Sequence, residues 1–171
     1  MHRIFLGTMA AAAALLLSSC AGYKLGPVKP AELDHVQKIA IPAFVNKTLE
    51  PRLSVAVTNA VIKQFQLDQT YQLVDVDEAD AILRGEIKQV RRKQFRANRA
   101  NRLFSRELQF EIVVEFYIED AINGDLMLEE LAAGASNLNV GGNFQLTERQ
   151  ALTDAAYHLS IDILSKTAEG W

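Results

Sequence analysis

The sequence predicts an α/β (α+β) two-layer sandwich, a mixed sheet of four to five strands with two helices packed on one face, in the order β-α-β-β-β-β-α. Three observations carry that expectation. From residue 107 to 119, Leu108, Phe110, Ile112, Val114, Phe116 and Ile118 alternate with Glu107, Gln109, Glu111, Val113, Glu115, Tyr117 and Glu119. Such strict alternation marks a strand with one buried face and one face toward water or a partner. Leu53, Val57, Ala60, Val61 and Phe65 recur at steps of three and four, as do Leu152, Ala155, Ala156, Leu159 and Ile163, which is the spacing of one helix face. One sheet with both helices on the same side buries all of these apolar faces.

The chain opens with a leader. His2 and Arg3 precede an apolar stretch from Ile4 to Leu17. That stretch is shorter than the roughly 20 residues a membrane-spanning helix needs, and has the length of a secretory hydrophobic region. Leu17-Ser18-Ser19-Cys20 reads as a lipobox, with cleavage before Cys20 and lipid on its thiol. Cys20 is the only cysteine, so it has neither a disulfide partner nor a cysteine cluster to join. Ala21 rather than Asp follows it, which points to the outer membrane, on its periplasmic face. The expected organisation is a signal peptide over residues 1–19, a lipidated N-terminus and tether over 20–35, and a single domain over 36–171. The tether contains Pro27 and Pro30 and spans at most about 50 Å when extended.

The domain is expected to begin with a strand over residues 36–44, which leaves the sheet or lies at its edge near Pro42. A helix opened by Pro51 follows, since proline suits a first turn. Residues 71–76 form a second strand and 81–95 a third, with Leu83, Gly85 and Ile87 on one side. After the alternating strand, residues 122–125 (Ile-Asn-Gly-Asp) mark a turn into a weaker last strand, and 136–144 read as a loop. Thr147-Glu148-Arg149-Gln150 has the form of a capping box opening the last helix.

The two long strands flank a concentrated block of positive charge. Residues 91–106 hold Arg91, Arg92, Lys93, Arg96, Arg99, Arg102 and Arg106 with no Asp or Glu, in a chain of formal net charge −3. The strands are expected to form a hairpin with this block at its tip. Matching their apolar faces requires paired residue numbers with an odd sum. A sum of 199 sets Arg84 opposite Glu115, Lys88 opposite Glu111 and Arg92 opposite Glu107, and 203 serves almost as well. Segregated charge of this kind directs electrostatics to one end of the molecule. The compartment excludes nucleic acid as its target.

Several residues resemble chemical motifs and are read as structural. Asp77-Glu78-Ala79-Asp80 lacks any accompanying phosphate loop and is expected to be a polar turn. His35 and His158 lie in different elements, and a zinc site would need three or four ligands. Glu107, Glu111, Glu115 and Glu119 lie along one strand face as partners for Arg and Lys. The expectation is a protein that is no enzyme, with no metal and no cofactor.

Taken together, "CAGYKL" after the lipobox, "KIAIPAFVNKTLEPRLSVAVTNAVIKQF", "LVDVDEADAILRGEI" and the terminal "AEGW" resemble the lipopolysaccharide-assembly lipoprotein family, LptE. The resemblance covers nearly all of the mature chain and is weakest over residues 91–106. It implies a sandwich that plugs and stabilises the lumen of a large outer-membrane β-barrel translocon and assists lipopolysaccharide assembly. The family's lipid-contacting residues find no matching motif here, so Cys20 alone is carried over. The implied partners are the barrel, lipopolysaccharide, and the membrane through the lipid anchor. The basic tip suits lipid phosphates, which Arg grips through charge-assisted bonds, or else the barrel wall. An alternative is a periplasmic lipoprotein that activates a cell-wall synthase, since "IAIPAFVNKT" also resembles the opening strand of such activators. The short tether argues against that reach.

Overall fold

The computed structural model describes residues 29–95, 107–139 and 144–169. Six strands form one mixed sheet: β1 (Lys38–Ala40), β2 (Val45–Asn46), β3 (Gln72–Leu73), β4 (Ala81–Phe95), β5 (Glu107–Asp120) and β6 (Leu126–Asn139). Their spatial order is β3-β1-β4-β5-β6, with β2 pairing β4 beyond the end of β1. The short strands β1, β2 and β3 pair in parallel, whereas β4, β5 and β6 form an antiparallel meander. Two helices, α1 (Leu53–Asp68) and α2 (Phe144–Ala168), pack on one face of the sheet and against each other. The two-layer sandwich expected from the sequence is the observed architecture.

The sixth strand arises because the stretch around Pro42 does not stay in the sheet. The chain leaves after Ala40 and returns to β4 at Val45, where Val45 pairs with Glu86. The excursion drives Phe44 into the core, 2 % exposed. Its backbone groups are satisfied by α1: the Phe44 N–H donates to Thr58 Oγ1 at 3.0 Å, and Ser54 Oγ donates to the Phe44 carbonyl at 2.6 Å. A buried peptide group needs such partners when it gives up the ladder.

Helix α1 buries Leu53, Val57, Val61 and Phe65. It starts two residues later than the proline suggested: Pro51 lies in a turn, and Arg52 takes a left-handed conformation with φ 63° before the helix begins. The expected strand over 71–76 contracts to β3, because the chain turns into a 3₁₀ turn at Val76–Glu78. That turn is the polar connection expected of the Asp77 to Asp80 stretch. Asp80 anchors it by accepting the Gln37 and Lys38 N–H groups on Oδ2, at 3.0 and 2.8 Å. Strand β6 continues to Asn139 through residues expected to loop, since Ser136 and Leu138 pair with Phe110 and Leu108. Helix α2 begins at Phe144, so Thr147 to Gln150 lie inside it rather than capping it.

The hairpin register is neither of the two expected. Leu83 pairs with Ile118, Gly85 with Phe116 and Ile87 with Val114, a sum of 201. A bulge at Lys88 then shifts the sum to 202, so Val90 opposes Ile112 and Arg92 opposes Phe110. The extra residue reverses the alternation of β4, as bulges do. Leu83, Gly85 and Ile87 turn toward the core before Lys88, and Val90 after it. The core itself is one main cluster of Ile39, Phe44, Val61, Leu83, Ile87, Ile112, Phe116, Leu159 and their neighbours.

Candidate functional site

Neither helix covers the second face of the sheet. There β5 presents Glu111, Val113, Glu115, Tyr117 and Glu119, all half-buried, between the basic side chains of β4 and the edge strand β6. Arg84 binds Glu119 at 2.5 Å and Lys88 binds Glu115 at 2.6 Å. Lys88 also reaches Glu86 at 2.8 Å, and Lys47 meets the same carboxylate at 3.6 Å. The expected pairs of Arg84 with Glu115 and Lys88 with Glu111 are thus replaced. The observed pairs are diagonal in the 201 register, which long side chains span easily. Hydrogen bonds donated to Glu115 and Glu86 hold the Lys88 ammonium well above the usual lysine range. The hydrogen bond from Lys88 draws Glu86 below the usual carboxylate range. Each exposed pair contributes little alone, because water and salt screen it. Together they give a charge-balanced, water-compatible face about as long as the hairpin.

The base of the basic block divides between the two faces. Arg91 and Lys93 lie on the open face and share Glu111, at 3.3 and 3.4 Å. Arg92 was expected opposite Glu107 on that face, but the Lys88 bulge turns it to the helix side. Its guanidinium lies over the Phe110 ring, 5.6 Å from the centroid, and binds Glu148 of α2 at 2.9 Å. It also binds Glu50 from the loop before α1. Arg92 therefore ties together a loop, a strand and a helix. No local sequence signal announces this role, because it follows from the bulge. Arg96, Arg99, Arg102, Arg106 and Cys20, the residue expected to carry lipid, lie outside the described residues.

The residues that looked chemical have ordinary settings. His35 is exposed, and His158 is exposed beside Tyr157, ring centroids 5.5 Å apart. Among the described residues no group of His, Cys, Asp and Glu is arranged to hold a metal, and no helix is long and apolar enough to cross a membrane.

The sequence model of the family LptE, lipopolysaccharide-assembly, matches residues 36–167. This chain belongs to the LptE family. The match spans both helices and all six strands, so the LptE assignment and the two-layer sandwich describe the same residues. Comparison with curated protein sequences gives no match. Among solved structures, a candidate lipoprotein from Caulobacter crescentus is similar with a TM-score of 0.51 and 12 % identity, over 74 % of this chain and 85 % of that one. A minor lipoprotein from Acinetobacter baumannii also reaches 0.51 at 12 % identity, over 76 % of this chain and 91 % of its own. A protein from Xanthomonas campestris gives 0.51 at 7 %, over 75 % and 81 %. At such identities the likeness concerns the fold alone. The family, by its description, is one of lipopolysaccharide assembly.

Proposed function

We propose that this chain is an outer-membrane lipoprotein, anchored through Cys20 on the periplasmic face, that plugs and stabilises a β-barrel translocon during lipopolysaccharide assembly. It acts by binding and not by catalysis. The observation that carries the reading is the uncovered, charge-balanced sheet face leading to the basic hairpin in a chain of the LptE family. A face whose charges are already paired stays compatible with water and with a polar lumen wall. Arg96, Arg99, Arg102 and Arg106, with Arg91 and Lys93 at their base, are the residues for lipid phosphates or the barrel wall, while Arg92 is committed to Glu50 and Glu148. Charge-assisted hydrogen bonds from such groups contribute about 1.5–3 kcal/mol each.

The test is a mild-detergent pull-down of the tagged, lipid-modified protein with mass spectrometry of what accompanies it. The expected result is a large β-barrel in stoichiometric amount. A cell-wall synthase in its place would replace this reading with that of a synthase activator. Replacing Arg96, Arg99 and Arg102 with Glu should leave the isolated domain folded and impair assembly. Unfolding of that variant would assign the tip a structural role instead.

A further inference from the structure

The N-terminal segment carries a pattern that anchoring alone does not require. Between Cys20 and Lys29 the chain reads Ala-Gly-Tyr-Lys-Leu-Gly-Pro-Val, with Tyr23 and Leu25 flanking Lys24. In extended backbone those two apolar side chains point one way and the lysine the other.

The structure places a groove where this segment ends. Lys29 is fixed to the domain: its ammonium donates to the Val36 carbonyl at 2.7 Å and lies over the Tyr71 ring, 4.6 Å from the centroid. Tyr71 lines the first of two adjoining open hollows, of about 390 and 470 Å³, lined by residues of β3 and of the C-terminal half of α1. Gln66 and Leu73 line both. Ile41, Ile62 and Val74 contribute apolar surface to the second hollow, and Asp75 and Glu78 line it as well. Strand β3 also ends the sheet on this side. Its Gln72 and Val74 N–H groups turn inward to the Gln37 and Ile39 carbonyls. The alternate peptide group, that of Leu73, consequently faces outward, and an edge of this kind accepts an added strand.

We propose that Tyr23, Lys24 and Leu25 dock in this groove as an added edge segment, with Tyr23 and Leu25 against Ile41, Ile62 and Val74 and Lys24 facing Asp75 and Glu78. The reach suffices. From Lys29 back to Tyr23 is six residues, about 20 Å when extended. Leaving Lys29 at the Tyr71 end and proceeding toward Asp75, the segment runs antiparallel to β3. Charge, apolar pattern and point of entry agree on one occupant from this same chain.

The docking gives the anchor a defined position. Strands β1 and β3 lie beside the first residues of β4, at Ala81 and Ile82. Phe95 is roughly thirteen residues, about 43 Å, further along the strand. If Cys20 carries lipid, the docked segment holds the membrane anchor at the end of the domain remote from the basic hairpin. The docking itself does not depend on the lipid.

The experiment uses the sole cysteine. The described residues between 29 and 169 hold the six strands and two helices of the sandwich, so the chain from Cys20 to Trp171 can be made without lipid and labelled with a nitroxide at Cys20. Amide signals of Ile62, Gln66, Leu73 and Val74 should lose most of their intensity, while those at the hairpin end of β4 and β5 keep theirs. Tyr23→Ser with Leu25→Ser should restore the groove signals and leave the other shifts unchanged. Unaffected groove amides, or equal broadening in parent and variant, would overturn the proposal. Broadening that appears when labelled chain is mixed with isotope-enriched unlabelled chain would assign the groove to a second copy, and overturn it as well.

Discussion

The Phe44 ring lies directly against the backbone of Gly85, so that a Cβ built on the glycine would overlap the ring's Cε2, Cδ2 and Cζ atoms. The contact joins the out-of-sheet excursion after β1 to the middle of β4, and only a residue without a side chain permits it. Gly85→Ala should therefore destabilise the domain by about 1–3 kcal/mol, the range for overpacked sites. Phe44→Ala should cost about 3–5 kcal/mol from the cavity it leaves. Because the alanine methyl would occupy part of that cavity, the double variant should lose clearly less than the sum. Urea unfolding of the four proteins checks this. Strict additivity would mean that the two residues do not bear on each other.

The same excursion depends on a hydroxyl of α1. Thr58→Val keeps the shape but strands the buried Phe44 N–H, which should cost about 1–3 kcal/mol. Thr58→Ser retains the acceptor and should lose less. Thermal unfolding of both variants distinguishes a hydrogen-bonding role from simple packing, for which serine would be the worse replacement.

Arg92 should behave unlike its neighbour Arg91. Arg92 binds Glu50 and Glu148 and covers Phe110, whereas Arg91, among the described residues, meets Glu111 on the open face. Arg92→Ala is expected to cost about 1 kcal/mol through lost ion pairs and stem packing, and Arg91→Ala to stay within about 0.5 kcal/mol. A double-mutant cycle of Arg92→Ala with Glu148→Gln should show a coupling that shrinks as salt is added. A coupling absent even at low salt would remove the clamp.

Asp80 sets an acid sensitivity. The Lys38 and then the Gln37 backbone N–H groups hold its carboxyl below the usual carboxylate range. A pKa lowered by folding contributes stability that is complete above the unfolded value, near 3.9, and is lost as pH falls through the folded value. The stability gap between the parent and Asp80→Ala should thus be constant above about pH 5 and close progressively below pH 4. A gap unchanged down to pH 2 would mean that the carboxylate charge is irrelevant to the clamp.

Much of this architecture is legible before folding. The alternation from Leu108 to Ile118 and the helical spacing of Leu53, Val57, Val61 and Phe65 are local patterns, and each matches an observed element. Boundaries were less legible. Pro51 precedes its helix by two residues, Thr147 lies within α2, and β6 outruns its apolar stretch, because pairing and packing set where an element stops. In the candidate site, the sequence announces the carboxylate row on β5 and the basic residues that answer it. It does not announce their partners.

The sequence by itself determined which segments become strands and helices, which face of each is apolar, where the positive charge gathers, and the family. These follow from periodicity and composition, which are properties of neighbouring residues. Only the tertiary structure decided the register of the hairpin, the bulge at Lys88 and the side of the sheet on which Arg92 lies. Period-two alternation specifies a face but not a position along the partner strand, and several registers bury the same apolar rows. The choice among them rests on contacts distant in sequence, such as Phe44 over Gly85 and α2 pressed against Gly134.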